Sequence, residues 1–327
     1  MVTINLGKLW GSTDQVPILA IHGWMDNASS FDTLVPLLSG FAVLAIDIMG
    51  RWWGPKMIQP IVALHGRQDN AGTFDTLTPL LPDNVSVLCV DLPGHGLSSH
   101  YPKGQSYYVY WDGIILLRRI IKYFQWSKVK LIGHSMGGAI AFLYAATFPD
   151  EVEFLICLDI ASPSVWDLKK VATTMGQDID KALKLETTPT KSPSYKYNDM
   201  IEIVFDAYDG SIDRTGAEIL MKRGMQPAST PDTYSFSRDV RLKMKTMALF
   251  PLEYSLILAS QITCEYLNIR YVPGLKYENA MSYQAVLDVI KKNAKRFEYH
   301  EVEGTHHAHL MHPERVAPII INFLRNK

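Results

Sequence analysis

Leu131-Ile132-Gly133-His134-Ser135-Met136-Gly137-Gly138 places a Gly-x-Ser-x-Gly motif directly behind an apolar, strand-like run. Residues 129–132 read as the end of a buried strand and residues 136–148 as an Ala-rich helix. A serine between such a strand and such a helix sits on a sharp turn. The glycines at 133 and 137 remove side chains that would collide there. The turn lifts the Ser135 hydroxyl clear of the sheet edge and puts the Met136 amide at a helix N-terminus, ready to stabilise an oxyanion. A Gly/Ser loop without chemistry would need neither the strand before it nor the helix after it.

On either side of this motif, from residue 58 onward, strands and helices alternate. Strands are expected at 61–64, 85–90, 129–132 and 154–159, with helices at 74–81, 107–124 and 136–148. The strand runs are rich in Val, Ile and Leu without polar alternation, which implies burial on both faces and hence a parallel sheet covered by helices. The rhythm breaks after Pro163: residues 164–262 carry helix-like pieces at 201–208 and 215–221 between prolines 189, 193, 227 and 231. This stretch reads as a helical lid inserted into the sheet domain. The alternation returns with strands at 266–272 and 297–302 and helices at 280–294 and 313–324.

A serine hydroxyl needs a base within hydrogen-bond reach. The best placed is His306, in Glu303-Gly304-Thr305-His306-His307-Ala308-His309 just past the last strand; His307 and His309 read as residues that shape the loop. The carboxylate that orients the base has two candidates. Asp159 ends the strand after the nucleophile helix, and Glu278 lies in the loop after residues 266–272. Asp159 is preferred, because a strand end fixes its position better than a glycine loop does. The second oxyanion amide is assigned to Arg67, in His65-Gly66-Arg67-Gln68-Asp69-Asn70, where Gly66 allows close backbone approach. His65, Asp91 and His95 read as braces of their turns.

Residues 10–38 repeat at residues 53–81 with a constant offset of 43, and 17 of the 29 positions are identical. Each copy encodes strand, helix, strand, but only the second runs on into Asp91-Leu92-Pro93-Gly94-His95-Gly96. The first copy, residues 1–50, is either an added unit extending the sheet or a redundant duplicate. The second reading is favoured, since such similar copies compete for one position. The rest divides into a core of residues 51–163 and 263–327 with the lid between.

The 327 residues, 47% of them hydrophobic, suffice for one large core and an inserted subdomain. A net charge of −1, from 32 basic and 33 acidic residues, gives no reason to expect nucleic acid or an anionic membrane as partner. The three cysteines are scattered through apolar runs and read as buried thiols rather than metal ligands or a disulfide framework. Neither a secretory signal nor a membrane-length apolar run is evident, so a cytoplasmic protein is expected.

Together, Trp52-Trp53-Gly54-Pro55, His65-Gly66 with Asp69-Asn70, Asp91-Leu92-Pro93-Gly94-His95-Gly96, Gly133-His134-Ser135-Met136-Gly137-Gly138 and Gly304-Thr305-His306-His307 resemble the α/β-hydrolase superfamily, and within it the serine hydrolase-like (Kraken-type) group. The resemblance covers roughly residues 52–327 and implies the α/β-hydrolase fold, a mostly parallel sheet flanked by helices with an inserted helical cap. It also implies a Ser/His/acid hydrolase without metal or organic cofactor. A small-molecule ester with an apolar portion is the expected substrate. The alternative is a catalytically silent binding or interaction protein of the same fold. The family carries one copy of the His-Gly segment; this chain carries two.

Overall fold

Seven strands form the central sheet: β4 (Gly50–Trp53), β5 (Ile61–Leu64), β6 (Val87–Val90), β7 (Val129–His134), β8 (Val152–Leu158), β11 (Glu265–Gly274) and β12 (Arg296–Thr305). Before them in the chain come three strands of the first copy, β1 (Leu9–Trp10), β2 (Pro17–Ala20) and β3 (Ala42–Ala45), while a cap hairpin supplies β9 (Met225–Pro227) and β10 (Tyr234–Phe236). The structure, a computed structural model, describes residues 9–10, 17–20, 42–45, 48–102, 104–107, 109–165, 168–187, 193–244, 250–274 and 279–325. The sheet order is β12-β11-β8-β7-β5-β6-β4; β4 pairs antiparallel with β6 and every other pairing is parallel.

Successive side chains of the central strands enter opposite cores, as the two-residue period of a strand requires. In β5, Val62 and Leu64 face one apolar cluster and Ile61 and Ala63 the other. The first cluster is covered by α1 (Tyr110–Tyr123), α2 (Met136–Thr147), α6 (Leu252–Ala259) and α7 (Ala280–Asn293). The second is covered by α9 (Pro313–Arg325), whose Val316, Ala317, Ile320 and Phe323 recur at helical spacing and are all buried. Each large apolar side chain among them contributes ~1.5–3 kcal/mol of burial.

The segment inserted between β8 and β11, termed the cap, contains α3 (Leu168–Thr187), α4 (Tyr197–Ala207), α5 (Arg214–Gly224) and the β9–β10 hairpin. It has its own apolar cluster, in which Met200, Val204 and Leu220 meet Leu310 of α8 (Ala308–Met311). Elsewhere its seam with the core is polar. Arg223 of α5 forks onto the Asp91 carboxylate at 2.6 and 3.0 Å, and that carboxylate also accepts from the Ala71 and Leu97 amides.

Several element bounds differ from the sequence reading. Residues 74–81, expected as a helix, form two 3-10 turns, Ala71–Phe74 and Thr78–Leu80. Pro79 interrupts the run, and Thr76 and Thr78 spend their hydroxyls on the Leu310 and Phe74 carbonyls. Helix α6, placed by the sequence reading in the lid, packs on the core through Leu252, Leu256 and Ala259. Ile48 and Met49 also belong to the core rather than to the first copy: Ile48 is buried, and the Met49 carbonyl accepts from Asp91 N at 2.9 Å. The strands of the first copy pair with one another, in the order β1-β3-β2, as a separate sheet. Among the described residues no helix is long and apolar enough to cross a membrane.

Candidate active site

Parallel strands end at one edge of a sheet, and the residues just past them converge there. Ser135 comes directly after β7, Asp159 after β8 and His306 after β12, and Gly66-Arg67 lies just beyond β5. Ser135 has φ 50° and ψ −121°, a conformation that side chains disfavour and that surrounding bonds must hold. Its amide donates to the Leu158 carbonyl at 3.1 Å, and its carbonyl accepts from Ala139 N at 3.0 Å. The turn is tight enough to require its glycines. A Cβ on Gly133 would lie 2.4 Å from the Gly137 backbone, and one on Gly137 would lie 2.1 Å from the Leu64 oxygen.

Asp159 is buried, and its amide donates to the Ile269 carbonyl at 2.8 Å. Its Oδ1 accepts from Tyr271 N at 2.9 Å, which leaves Oδ2 facing His306 Nδ1 at 2.6 Å. Against a carboxylate, Nδ1 carries the proton and Nε2 is left as the acceptor, the tautomer a general base needs. Ser135, Met136, Arg67 and His306 line one cavity of about 600 Å³, and Asp159 stands behind His306. Glu278, the alternative acid, lies outside the described residues.

The loop expected to complete the oxyanion site is braced from below. His65 Nδ1 donates to the Gly66 carbonyl at 2.7 Å while Nε2 accepts from Leu92 N at 3.0 Å. His95 Nε2 accepts from Gln68 N at 3.3 Å. Burial pushes His65 down to about 4 and His95 down to about 3, so both rings are neutral and able to accept. The Arg67 guanidinium donates to the Leu242 and Met244 carbonyls, which ties the loop to the cap. Met136 opens α2, where first-turn amides have no acceptor within the helix.

The chain and its fold have known counterparts. The sequence profile of the alpha/beta hydrolase fold matches residues 59–177. A probable serine hydrolase of Drosophila melanogaster is 50% identical over 319 residues, covering 97% of this chain and 83% of its own length. A serine hydrolase-like protein of Danio rerio is 31% identical, covering 98% of this chain and 84% of that one. The chain belongs to the serine hydrolase-like group of α/β hydrolases. A crystal structure of a hypothetical protein from Pseudomonas aeruginosa superposes with a TM-score of 0.75 at 27% identity, covering 86% of this chain and 96% of that one.

In this α/β hydrolase the sequence reading misses the part that His134 and Asp69 play around His306. His134 Nε2 donates to the His306 carbonyl at 2.7 Å, and the two rings lie 4.5 Å apart. His134 Nδ1 and Asp69 Oδ2, both without a hydrogen-bond partner among the described residues, face each other at 3.9 Å. His307 Nε2 lies 3.8 Å from the same Asp69 oxygen, and its Nδ1 is 2.7 Å from Ser211 Oγ. A carboxylate and two imidazoles within 4.8 Å of one another are the donor types of a metal site. Burial raises Asp69 to about 7 and lowers His134 and His307 well below the usual imidazole value, which makes the cluster a nearly neutral polar core. His309 Nε2 meets Thr73 Oγ1 at 2.9 Å, so His307 and His309 both anchor the loop that carries His306. The Gly-His-Ser and His-His-x-His patterns are the available signal; their convergence with Asp69 depends on three separate loops.

Proposed function

We propose that the chain hydrolyses a carboxylic ester, or a similar acyl bond, by a two-step transfer to water. As Ser135 Oγ attacks the carbonyl carbon, His306 Nε2 takes its proton. The Met136 and Arg67 amides hold the oxyanion, and Asp159 faces the imidazolium that forms. Collapse of the tetrahedral intermediate breaks the bond to the leaving oxygen, and His306 returns the proton to it. Water then attacks the acyl-enzyme with the same base, releasing the acid and restoring Ser135.

The observation that carries this reading is the 2.6 Å contact from His306 Nδ1 to Asp159 Oδ2, on the cavity that Ser135 lines. An apolar portion of the substrate is supported by Ile160 of the core and by Val204 and Phe236 of the cap on the cavity wall. A fluorophosphonate probe tests the reading, because only an activated serine reacts with it. The folded parent should be labelled and its Ser135→Ala variant should not. A folded parent that resists the probe would refute the hydrolase mechanism and leave a catalytically silent binding protein of this fold.

A further inference from the structure

Four arginines stand at the seam between cap and core, and three of them are matched. Arg67 is committed to the Leu242 and Met244 carbonyls, Arg223 to Asp91, and Arg241 to Asp239. Arg238 makes no hydrogen bond or ion pair with the described residues. It lines the cavity that holds Ser135 and His306, and its guanidinium lies over the Phe236 ring at 4.5 Å. Its backbone is pinned on both sides: Ser237 N donates to the Gly224 carbonyl at 3.0 Å, and Asp239 N to the Gly94 carbonyl at 2.8 Å. The position is therefore built, and the cation in it is preorganised by an aromatic face.

Half-buried and without a carboxylate, such a group costs stability. Burial disfavours its charge, and the Tyr208 phenol, also on the cavity wall, is kept neutral by its own burial and supplies no counter-charge. A planar fork of donors facing a reaction cavity matches an oxyanion of the substrate.

We infer that Arg238 binds an anionic group of the substrate, so that the ester cleaved at Ser135 carries a carboxylate away from the scissile bond. The inference rests on the hydrolase reading of the same cavity. It narrows the substrate from an apolar ester to an amphipathic one: an apolar stretch against Val204 and Phe236, and an acidic group at Arg238.

The test compares p-nitrophenyl hemiglutarate with the neutral p-nitrophenyl valerate, in the parent and in Arg238→Met. The ratio of kcat/KM for the charged over the neutral ester should fall about 10- to 100-fold in the variant, the range of one charge-assisted contact. A ratio corrects for any loss of folded enzyme. p-Nitrophenyl esters bearing a phosphate in place of the carboxylate distinguish the two anions: a larger Arg238-dependent ratio for the phosphate would overturn the carboxylate assignment. Calorimetric binding of monomethyl glutarate to Ser135→Ala, with and without Arg238→Met, separates this inference from the mechanism. Turnover with an unchanged ratio and no Arg238-dependent binding overturns the anion site and leaves the hydrolase standing. Arg238-dependent binding by a chain that turns over neither ester keeps the anion site and removes the hydrolase.

Discussion

Replacing Asp159 by Asn changes one side-chain oxygen to an NH2 and tests the whole arrangement behind His306. In the parent, Oδ1 accepts from Tyr271 N at 2.9 Å and Oδ2 meets His306 Nδ1 at 2.6 Å, so both oxygens act as acceptors. An amide has one acceptor and one donor. If its oxygen stays on the Tyr271 amide, its NH2 faces His306 Nδ1 and drives the imidazole proton to Nε2, where the ring can no longer accept from Ser135. If it flips, the ring keeps its tautomer, but two buried donors face each other at Tyr271, at a cost of ~1–3 kcal/mol. That gap leaves roughly one molecule in ten to one in a hundred with a competent base. The flipped form also loses a charge-assisted bond to the imidazolium, worth ~1–2 kcal/mol more than a neutral one, or about another tenfold. The expected result is a fall of about 100- to 1000-fold in kcat/KM for a p-nitrophenyl ester, approaching the ~10⁴ that the equivalent change costs in a serine protease. Fluorophosphonate labelling should slow in parallel while urea unfolding shows the variant still folded. A folded Asp159→Asn variant within tenfold of the parent would refute the reasoning. A larger loss from Glu278→Gln would move the acid to the loop after β11.

Two further predictions concern the scaffold. Gly137→Ala places a Cβ 2.1 Å from the Leu64 oxygen and should cost ~3 kcal/mol or more in urea unfolding, whereas Gly176→Ala in α3, with nothing within 4 Å, should stabilise by ~0.5–1 kcal/mol; equal effects at the two sites would contradict the turn geometry. His65 and His95, lowered by burial to about 4 and about 3, each take up a proton on unfolding below pH 6.5, so their stability contribution is present above that pH and is lost as pH falls through those values. Asp69, raised by burial to about 7, releases a proton on unfolding over the same window and offsets one of them. With His309, also lowered by burial to about 3, taking up a further proton, net stability should fall by ~1.4 kcal/mol or more per unit between pH 6 and pH 4.5, and urea midpoints that stay flat across that range would rule the neutral histidines out.

How much the sequence makes legible depends on how local each signal is. The turn at Ser135 is specified within a dozen residues, because a strand, two glycines and a helix leave the chain one way through. Asp159 and His306 are 147 positions apart, and their relation in the sequence is that each ends a strand of a parallel sheet. Chain order and that topology bring the two together. The helix expected at 74–81 fails for the opposite reason: its apolar spacing is helical, but Pro79 and threonine hydroxyls bonding to main-chain carbonyls win over the period. The sequence reading puts α6 in the lid because the insertion has no strand to mark its end; packing of Leu256 and Ala259 against the core, which no local pattern encodes, decides it. Arg223 on Asp91 and Arg67 on Leu242 join residues more than a hundred positions apart. Side chains such as Val204 and Phe236 acquire meaning only once the fold sets them on the cavity wall.

The duplication illustrates the same limit more sharply. β1, β3 and β2 lie in the order antiparallel edge, middle, parallel partner, and β4, β6 and β5 lie in that order too. Two segments of similar sequence thus make the same three-stranded arrangement. The free side of β5 is taken by β7, with Ile61 to Leu64 paired against Lys130 to Gly133, and that pairing is what sets Gly66-Arg67 beside Ser135. β7 has two edges, and β8 occupies the other. One copy can therefore reach the nucleophile and the other cannot. The copy that does is the one whose next residues continue into Asp91, the carboxylate that binds Ala71, Leu97 and Arg223 and so locks the His-Gly loop beneath the cap. Segments of similar sequence thus become unequal through the downstream segment each is joined to.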